Sequence, residues 1–579
     1  MKRLVILAFA GLVLGADATA WAQGPRLDRK LDDYLRRRAA TSGDADGVER
    51  VIVTFRTVGT SAPAVQRLRR KGAAIGQDLP SIGAVAVRVP RSQLRAVADD
   101  AEVLHISHDS QVVAQDIDAS SVSGTAAGSA YTLRRTLGID GVRSTSPLVG
   151  RGVTVAVIDS GIHPAPDFQG RIAAFVDFTG ENAKVATDPY GHGTHVAGTI
   201  GGWSRDVSGV ATGVTLIGLR VLDSTGVGTT SRVIRALQWA IEHRRSHAID
   251  IVNLSLGHPV YEPAATDPLV QAVEAAVRAG LIVVVSAGNM GNHPDTGLVG
   301  YAGVSSPGNA PSAITVGAVR TQGTTRRTDD LVADYSSRGP SWYDAFAKPD
   351  VVAPGHRVLA ASSDTAALYQ AFPVLRGVSK DPRRQYLYLS GTSMATAVTS
   401  GTVALAVEAG RRAFGVKPTP RQVKAMLMQT AFPMVDAAGA PYDVLTQGAG
   451  ALNGGGLVAL GASLAHRTPS SRAGLLGRVD PWTVVDGEAL AWGQNIVWSD
   501  SLLGINALDA RRLAAIGATA WWTRVVWGDN IVWSDADNIV WSDLDNIVWS
   551  DADNIVWSDA DNIVWSDAAI LSLDGLSGP

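Results

Sequence analysis

The sequence predicts an α/β fold with a doubly wound, mainly parallel sheet over residues 140–465, and two observations support this. Short β-branched runs recur through the range, namely Val153–Ile158, Leu216–Val221, Ile249–Leu254, Leu281–Val285 and Ile314–Val319. Segments with helical periodicity, such as Ser231–Arg244 and Pro268–Ala279, lie between several of these runs. Apolar strands that alternate with helices are typical of a parallel sheet covered on both faces. In such sheets a site forms at the carboxyl ends of the strands.

A smaller α+β domain is predicted over residues 48–114. Its pattern is strand, helix, strand, helix, strand, over Arg50–Arg56, Ala62–Gly72, Ala84–Val89, Arg91–Asp100 and Val103–Ser107. Residues 23–47 form a basic leader in which Leu27, Leu31 and Leu35 recur every four positions. Residues 115–139 are predicted to be a linker. Its first part, 115–130, is rich in Ser, Ala, Gly and Asp and typical of an exposed segment where proteolysis occurs.

The first 22 residues have the three parts of a secretory signal. Lys2 and Arg3 precede a thirteen-residue, mostly apolar run, and Ala20-Trp21-Ala22 supplies the small-residue cleavage site. A membrane anchor is the alternative, but it needs ~20 apolar residues, and no later run reaches that length. We therefore expect a secreted or extracytoplasmic protein without a transmembrane segment.

Composition excludes several classes of protein. The chain has 579 residues, with 51 Lys+Arg against 54 Asp+Glu and a net charge of −3, so nothing in the overall charge favours nucleic acid as a partner. The chain contains 0 Cys, which removes disulfides, thiolate nucleophiles and cysteine-ligated metals together. Any nucleophilic side chain must therefore use another atom, and oxygen is the natural candidate.

Four chemically useful side chains fall at the ends of predicted elements. Asp159 follows the first apolar run, His192 opens a helix of small residues, Asn289 follows Leu281–Val285, and Ser393 precedes another small-residue helix. A serine hydroxyl needs a base such as histidine to become a nucleophile, and the histidine needs a carboxylate to orient it. An amide and a helix N-terminus can stabilise the oxyanion of acyl transfer. Together the four groups indicate acyl-transfer chemistry.

Seven motifs then resemble one family. VAVIDSGI, GHGTHVAGTI, VNLSLG, VVVSAGN, YSSRGP, KPDVVAPG and GTSMATA occur in the order typical of subtilisin-like serine peptidases, over about 140–460. The resemblance implies a secreted serine endopeptidase that acts on polypeptides through the triad Asp159, His192 and Ser393. Asn289 and the Ser393 N–H would form the oxyanion site. No cofactor is required; calcium stays open as a ligand, but the sequence assigns no calcium or other metal site.

The resemblance also implies a substrate cleft and a zymogen. Val227 and Gly228, with Ser255-Leu256-Gly257, would be the backbone edges that pair with an extended substrate, and Gly308 would be the floor of the primary pocket. The 48–114 domain resembles an inhibitory propeptide, which implies a cut within 115–130. Residues 361–388 look like an insertion that shapes or covers the rim of the cleft.

Two other functional hypotheses stay open from the sequence. His192 and His195 lie three residues apart on one predicted helix and could bind a metal with Asp159, as in a metal-dependent hydrolase. The chain could also be a binding or surface-attachment protein with a vestigial peptidase fold that acts through its C-terminal tail.

That tail, residues 527–579, follows a predicted linker region at 466–526. Asp-Asn-Ile-Val-Trp-Ser-Asp begins at 529, 537, 545, 553 and 561, a period of eight, and Asn495–Asp500 is an outlying copy. The tail holds 11 Asp and no Lys or Arg. An even period keeps each repeat position on one face of an extended chain. Two alternatives remain: a stacked β-array with an unknown ligand, or a flexible extension whose Asp residues prevent aggregation.

Overall fold

The computed structural model describes residues 28–40, 47–56, 62–114, 131–141, 147–293, 297–463 and 479–494, and short backbone strands between 526 and 565. The predicted signal peptide and the whole region 115–130 lie outside these ranges. The chain divides into two compact units: residues 1–110 with 266–268, and residues 111–265 with 269–579. Within the described ranges, none of the helices combines the length and the apolar character needed to cross a bilayer.

The first unit is an α+β fold built on a four-stranded antiparallel sheet in the order β2-β3-β1-β4. Its elements are α1 (Asp33–Ala40), β1 (Val48–Phe55), α2 (Ala62–Arg70), β2 (Ala74–Leu79), β3 (Ala84–Pro90), α3 (Leu94–Ala98) and β4 (Val103–His108), with 3-10 turns at Asp28–Lys30, Pro80–Ile82 and Arg91–Gln93. Strand β2 was missed by the sequence analysis. It is an edge strand whose residues are mostly exposed or half-buried, so its sequence carries little apolar signal.

The second unit contains the described strands from residue 111 onward. They are β5 (Gln111–Ala114), β6 (Thr154–Asp159), β7 (Ile172–Asp177), β8 (Thr215–Arg220), β9 (Val227–Thr229), β10 (Ile249–Leu254), β11 (Leu256–Gly257), β12 (Ile282–Ser286), β13 (Gly300–Tyr301), β14 (Ile314–Arg320), β15 (Leu331–Val332), β16 (Val351–Pro354), β17 (Val358–Ser362), β18 (Arg376–Gly377), β19 (Gln385–Leu389), β20 (Trp482–Val485), β21 (Glu488–Ala491), β22 (Val526–Trp527), β23 (Asn530–Ser534), β24 (Ile539–Ser542), β25 (Asn546–Ser550), β26 (Trp557–Ser558) and β27 (Asn562–Trp565).

Nine helices among the described residues from 131 onward complete the list. They are α4 (Tyr131–Thr136), α5 (His192–Gly201), α6 (Thr230–His243), α7 (Pro268–Arg278), α8 (Ala367–Ala371), α9 (Thr392–Phe414), α10 (Pro420–Thr430), α11 (Val444–Gln447) and α12 (Gly454–Gly461), with 3-10 turns at Pro166–Phe168 and Pro373–Leu375. Helix α9 is buried from Thr392 to Gly410, and its Ala, Gly, Ser, Thr and Val side chains are small enough to let neighbouring elements pack closely against it.

The central sheet confirms the prediction of a mainly parallel arrangement. Its order is β15-β14-β12-β10-β6-β8-β7, and β16 also pairs with β14. Every pairing is parallel except that of β14 with β15, so the sheet is mixed but mostly parallel. Strands β7 and β8, which follow β6 in the chain, lie on one side of it in the sheet. The later strands β10, β12 and β14 lie on its other side, so the direction in which strands are added reverses at β6. That reversal opens a crevice at the carboxyl ends of the middle strands, where Asp159 ends β6.

Residues 479–494 differ from the predicted linker region at 466–526. Strands β20 and β21 form a hairpin, and Val485 and Trp492 are buried against an apolar cluster that includes Phe432. Trp492 Nε1 donates to Thr483 Oγ1 at 2.8 Å. Only Val485 and Trp492 are buried in this segment, so its sequence shows no regular apolar pattern and looks like a linker. The rest of 466–526, apart from Val526, lies outside the described residues.

Candidate active site

A buried carboxylate and a buried imidazole meet at the carboxyl edge of the central sheet. Asp159 ends β6, His192 begins α5, and both side chains are 0% exposed. His192 Nδ1 lies 2.8 Å from Asp159 Oδ1, which also accepts a hydrogen bond from Ser160 N at 2.7 Å. A carboxylate at Nδ1 favours the tautomer protonated there, so Nε2 can act as a base.

Glycine at position 193 allows α5 to approach β6 this closely. A Cβ at Gly193 would lie 2.1 Å from Gly161 O and 3.1 Å from the Asp159 Cβ. Gly193 N also donates to Ser160 Oγ at 2.9 Å. The glycine after His192 is therefore a packing requirement of the Asp159–His192 contact.

Asp188 fixes the N-terminus of α5 and was missed by the sequence analysis. Its buried carboxylate accepts hydrogen bonds from Gly191 N at 2.8 Å, Thr194 N at 2.7 Å and Thr194 Oγ1 at 2.6 Å. A negative charge that caps the first turn stabilises a helix start. Asp188 thereby holds the turn that carries His192. An acidic residue four positions before the histidine was the available signal.

Ser393 is the second residue of α9, so its N–H lies in the first helical turn, where no intrahelical acceptor exists. Its Oγ donates to Ser255 O at 3.1 Å, and Ser255 Oγ donates to Ser393 O at 3.0 Å. Asn253 Nδ2 donates to Ser255 Oγ at 2.9 Å, and Ser400 Oγ donates to Asn253 Oδ1 at 2.9 Å. This buried network fixes the backbone at Ser393, and α9 packs against α5, the helix of His192.

Asn289 lies beside the start of α9 and is oriented by Thr392. Asn289 Oδ1 accepts hydrogen bonds from Thr392 N and from Thr392 Oγ1, each at 3.0 Å. With Oδ1 engaged in this way, the Nδ2 amide group is directed away from Thr392. The hydroxyl of Thr392 also accepts from Gly288 N at 3.2 Å. Asn289 was predicted from the sequence, whereas Thr392, which precedes Ser393 in GTSMATA, was not.

The two predicted substrate edges lie on either side of β5. In this three-stranded antiparallel sheet, Val112 and Val113 pair with Gly228 and Val227, while Val113 and Ala114 pair with Gly257 and Leu256. Ala114 N also donates to Gly226 O at 3.3 Å. Strand β5 falls in the second unit, so the predicted 48–114 domain ends four residues earlier in the structure, at Ser110. A segment of the same chain thus pairs with both edges.

Gly308, the predicted floor of the primary pocket, lies in close contact with two backbone carbonyls. A Cβ at this position would lie 2.8 Å from Ser286 O and 2.9 Å from Ser305 O, so it would point at backbone carbonyls. Gly308 O also accepts a hydrogen bond from Thr315 Oγ1 at 2.7 Å. This glycine is required for close backbone packing, and its role as the pocket floor stays a prediction.

His195 is a buried packing residue on α5. Its Nε2 lies 3.0 Å from both Val358 O and Leu387 O, which positions a donated Nε2–H between two carbonyls. Burial lowers the pKa of His195 to about 3, because the charged imidazolium is excluded from water, so the ring is neutral. No cluster of three potential metal-ligating side chains occurs among the described residues. This geometry gives the metal-pair hypothesis for His192 and His195 no support.

The predicted insertion, 361–388, contacts the chain just before His192. It contains α8, β18 and most of β19, and β19 pairs antiparallel with both β17 and β18. Ala367 N donates to Pro189 O at 2.9 Å, and Leu368 N donates to Tyr190 O at 3.0 Å. A Cβ at Gly226, beside the β9 edge, would lie 2.5 Å from the Tyr190 ring. The insertion therefore supports the loop that lies between α5 and the predicted substrate edge.

Comparison with known proteins identifies the family to which this site belongs. Residues 150–457 match the model of the peptidase S8, or subtilase, family. The chain belongs to the subtilase family. As a subtilase it is a serine-type endopeptidase, and the family acts on polypeptide substrates.

Similar subtilases come from several bacteria. The chain is 38% identical over 298 residues to the serine protease AprX of Bacillus subtilis (strain 168), which covers 49% of this chain and 62% of that relative. It is 34% identical over 380 residues to the extracellular serine proteinase of Thermus sp. (strain Rt41A), covering 65% of this chain and 78% of the relative. The crystal structure of fervidolysin from Fervidobacterium pennivorans shares the fold, with a TM-score of 0.53 and 20% identity over 74% of this chain and 62% of that one.

Proposed function

We propose that this subtilase is a secreted endopeptidase, made as a zymogen, which cleaves peptide bonds through a covalent acyl-enzyme on Ser393. His192 is the general base and Asp159 orients it. The observation that carries the proposal is the buried 2.8 Å contact between His192 Nδ1 and Asp159 Oδ1, at the start of a helix that packs against α9. The relative from Thermus is named an extracellular proteinase, which agrees with the export signal read at residues 1–22.

The reaction begins when His192 Nε2 removes the proton from Ser393 Oγ as that oxygen attacks the substrate carbonyl. The oxyanion that forms accepts hydrogen bonds from Ser393 N–H and Asn289 Nδ2, at the positive end of the α9 dipole. The C–N bond then breaks, and the leaving amine takes the proton from His192. Water then attacks the acyl-enzyme in the same way, with His192 as the base, and releases the carboxylic acid product and free Ser393. The proposed reaction uses only protein groups and water.

In the proposed function, the substrate is bound by hydrogen bonds between its backbone and the backbone of the enzyme. The edges at 227–228 and 255–257 would add an extended peptide as a strand between them, as β5 is paired. Main-chain hydrogen bonds supply affinity with little demand on sequence. We therefore infer a broad preference for extended segments of polypeptide.

The pairing of β5 supports self-processing of a zymogen in which residues 48–114 act as the intramolecular inhibitor. Ala114 pairs with Leu256, and Ser255, the next residue along this antiparallel register, accepts the hydrogen bond of Ser393 Oγ. Continued by one residue, the register favours cleavage of the Gln115–Asp116 bond. This position falls within the 115–130 range inferred from the sequence.

N-terminal sequencing and intact mass of the exported protein test the proposal. Wild-type protein should begin at or near Asp116, whereas the Ser393→Ala variant should retain the 48–114 domain. A Ser393→Thr variant is the matched control that keeps a hydroxyl, and it should process slowly. Export without the first 22 residues supports the signal peptide. Processing of Ser393→Ala at the same bond and rate, in a host without other proteases, would overturn self-cleavage.

A further inference from the structure

The tail repeats form a sheet of their own. Strands β23, β24, β25, β26 and β27 each coincide with part of one repeat copy, and they pair in the order β23-β25-β24-β27-β26. The preceding strand, β22, pairs antiparallel with β13 of the peptidase fold, with Gly300 opposite Trp527 and Tyr301 opposite Val526. The start of the tail is thereby tied to the peptidase fold.

The five-residue unit Asn-Ile-Val-Trp-Ser pairs with itself in both orientations. Strands β23 and β25 are parallel and in register, so that every residue of the unit lies opposite its own counterpart. Strand β24 is antiparallel to β25 and to β27, and both pairings are centred on valine: Val540 lies opposite Val548 on one side and Val564 on the other. Each antiparallel pairing also places Trp opposite Ile and Ser opposite Asn. The repeat unit therefore pairs with other copies of itself in both the parallel and the antiparallel orientation.

The sheet has two edge strands, and the same self-pairing allows each of them to pair with a further copy of the repeat unit. Strands β23 and β26 lie at its ends, and their outer sides have no partner among the described strands. The repeat unit contains neither Pro nor Lys, the residues that commonly protect an edge from pairing. We propose that the tail is a self-association module, in which an edge strand of one tail pairs with an edge strand of the tail of a second copy of this chain.

The charge of the tail predicts how this association depends on salt. Residues 527–579 carry 11 Asp and no Lys or Arg, so two tails repel one another. Because the Debye length falls from about 30 Å at 0.01 M salt to about 3 Å at 1 M, salt weakens this repulsion and strengthens the association. Docking of the acidic tail on a basic partner surface would have the opposite salt dependence. The sign of the effect therefore separates the two kinds of interaction.

Sedimentation velocity of the full chain carrying Ser393→Ala tests the proposal, since this substitution limits loss of the tail by proteolysis. We expect association that increases with protein concentration, with an association constant that rises roughly tenfold or more between about 0.01 M and 1 M NaCl. Proline at the central valine of every repeat should give monomers, because proline removes a ladder N–H. The five positions are Val532, Val540, Val548, Val556 and Val564.

Threonine at the same five positions is the matched control. Threonine keeps β-branching and the backbone N–H, so this variant should associate like its parent. The proposal is overturned if the parent is monomeric at every concentration and salt. It is also overturned if the proline variant associates as the parent does, or if salt weakens the association.

Discussion

Replacement of Thr392 by valine tests how the oxyanion site is built. Valine keeps the shape of threonine but removes the hydroxyl that donates to Asn289 Oδ1 at 3.0 Å and accepts from Gly288 N at 3.2 Å. Asn289 Oδ1 then keeps one donor, Thr392 N, out of two. Loss of one such hydrogen bond costs ~0.5–1.5 kcal/mol. We expect the barrier to rise by about 1.4 kcal/mol, which is a tenfold fall in kcat.

The fall should appear in kcat rather than KM, because the Asn289 amide acts on the oxyanion that forms only in the transition state. The assay is hydrolysis of a chromogenic peptide, with enzyme concentration fixed by active-site titration. Thr392→Ser keeps a hydroxyl and should stay close to wild type. Asn289→Ala removes the donor itself and should lower kcat by ~10²–10³.

The double variant decides whether Thr392 acts through Asn289. With the Asn289 amide already removed, Thr392→Val should add almost nothing, because its target is gone. Two results would refute the reasoning: a further tenfold loss in the double variant, or a Thr392→Val enzyme with normal kcat and raised KM.

Two further predictions concern α5. Burial lowers the pKa of His195 from 6.5 to about 3. Between these two pH values the imidazole is protonated in the unfolded chain but neutral in the folded chain. The free energy of unfolding therefore falls by about 1.4 kcal/mol for each pH unit below 6.5. His195→Gln keeps an Nε2 donor but cannot be protonated. In the Ser393→Ala background, it should reduce the fall of the urea midpoint as the pH is lowered. An unchanged slope of urea midpoint against pH between 6.5 and 4.5 would contradict this. Gly193→Ala should destabilise by about 3 kcal/mol or more and abolish activity, because its Cβ would lie 2.1 Å from Gly161 O. Gly141→Ala, where the nearest atom lies at 3.5 Å, should melt like wild type in the same thermal scan.

The central sheet was predictable from the sequence because its strands are buried on both faces. Runs such as Val153–Ile158 and Leu281–Val285 are almost entirely apolar, so the sequence predicted them to within one or two residues of the observed strands. The candidate site residues were found because each ends or begins such an element. Their adjacency follows from the parallel sheet, which brings the carboxyl ends of its strands to one edge.

What the sequence did not predict depends on contacts between distant segments. Strand β5 is four residues long, and its partners begin more than a hundred residues later, so no local periodicity marks it. The orienting role of Thr392 requires Asn289, which is 103 residues away. The packing of Gly308 against Ser286 O and Ser305 O likewise depends on segments that no local pattern brings together. The hairpin at 479–494 is held by two buried side chains among exposed or half-buried ones, which is a weak pattern.

Labelling with a fluorophosphonate probe tests the central claim, that Ser393 is the nucleophile activated by His192. The probe should modify the mature protein once, on the peptide that contains Ser393, and labelling should be absent from Ser393→Ala. His192→Ala should label far more slowly, because no base then removes the hydroxyl proton. Modification of a different serine, or labelling that persists in Ser393→Ala, would contradict the account.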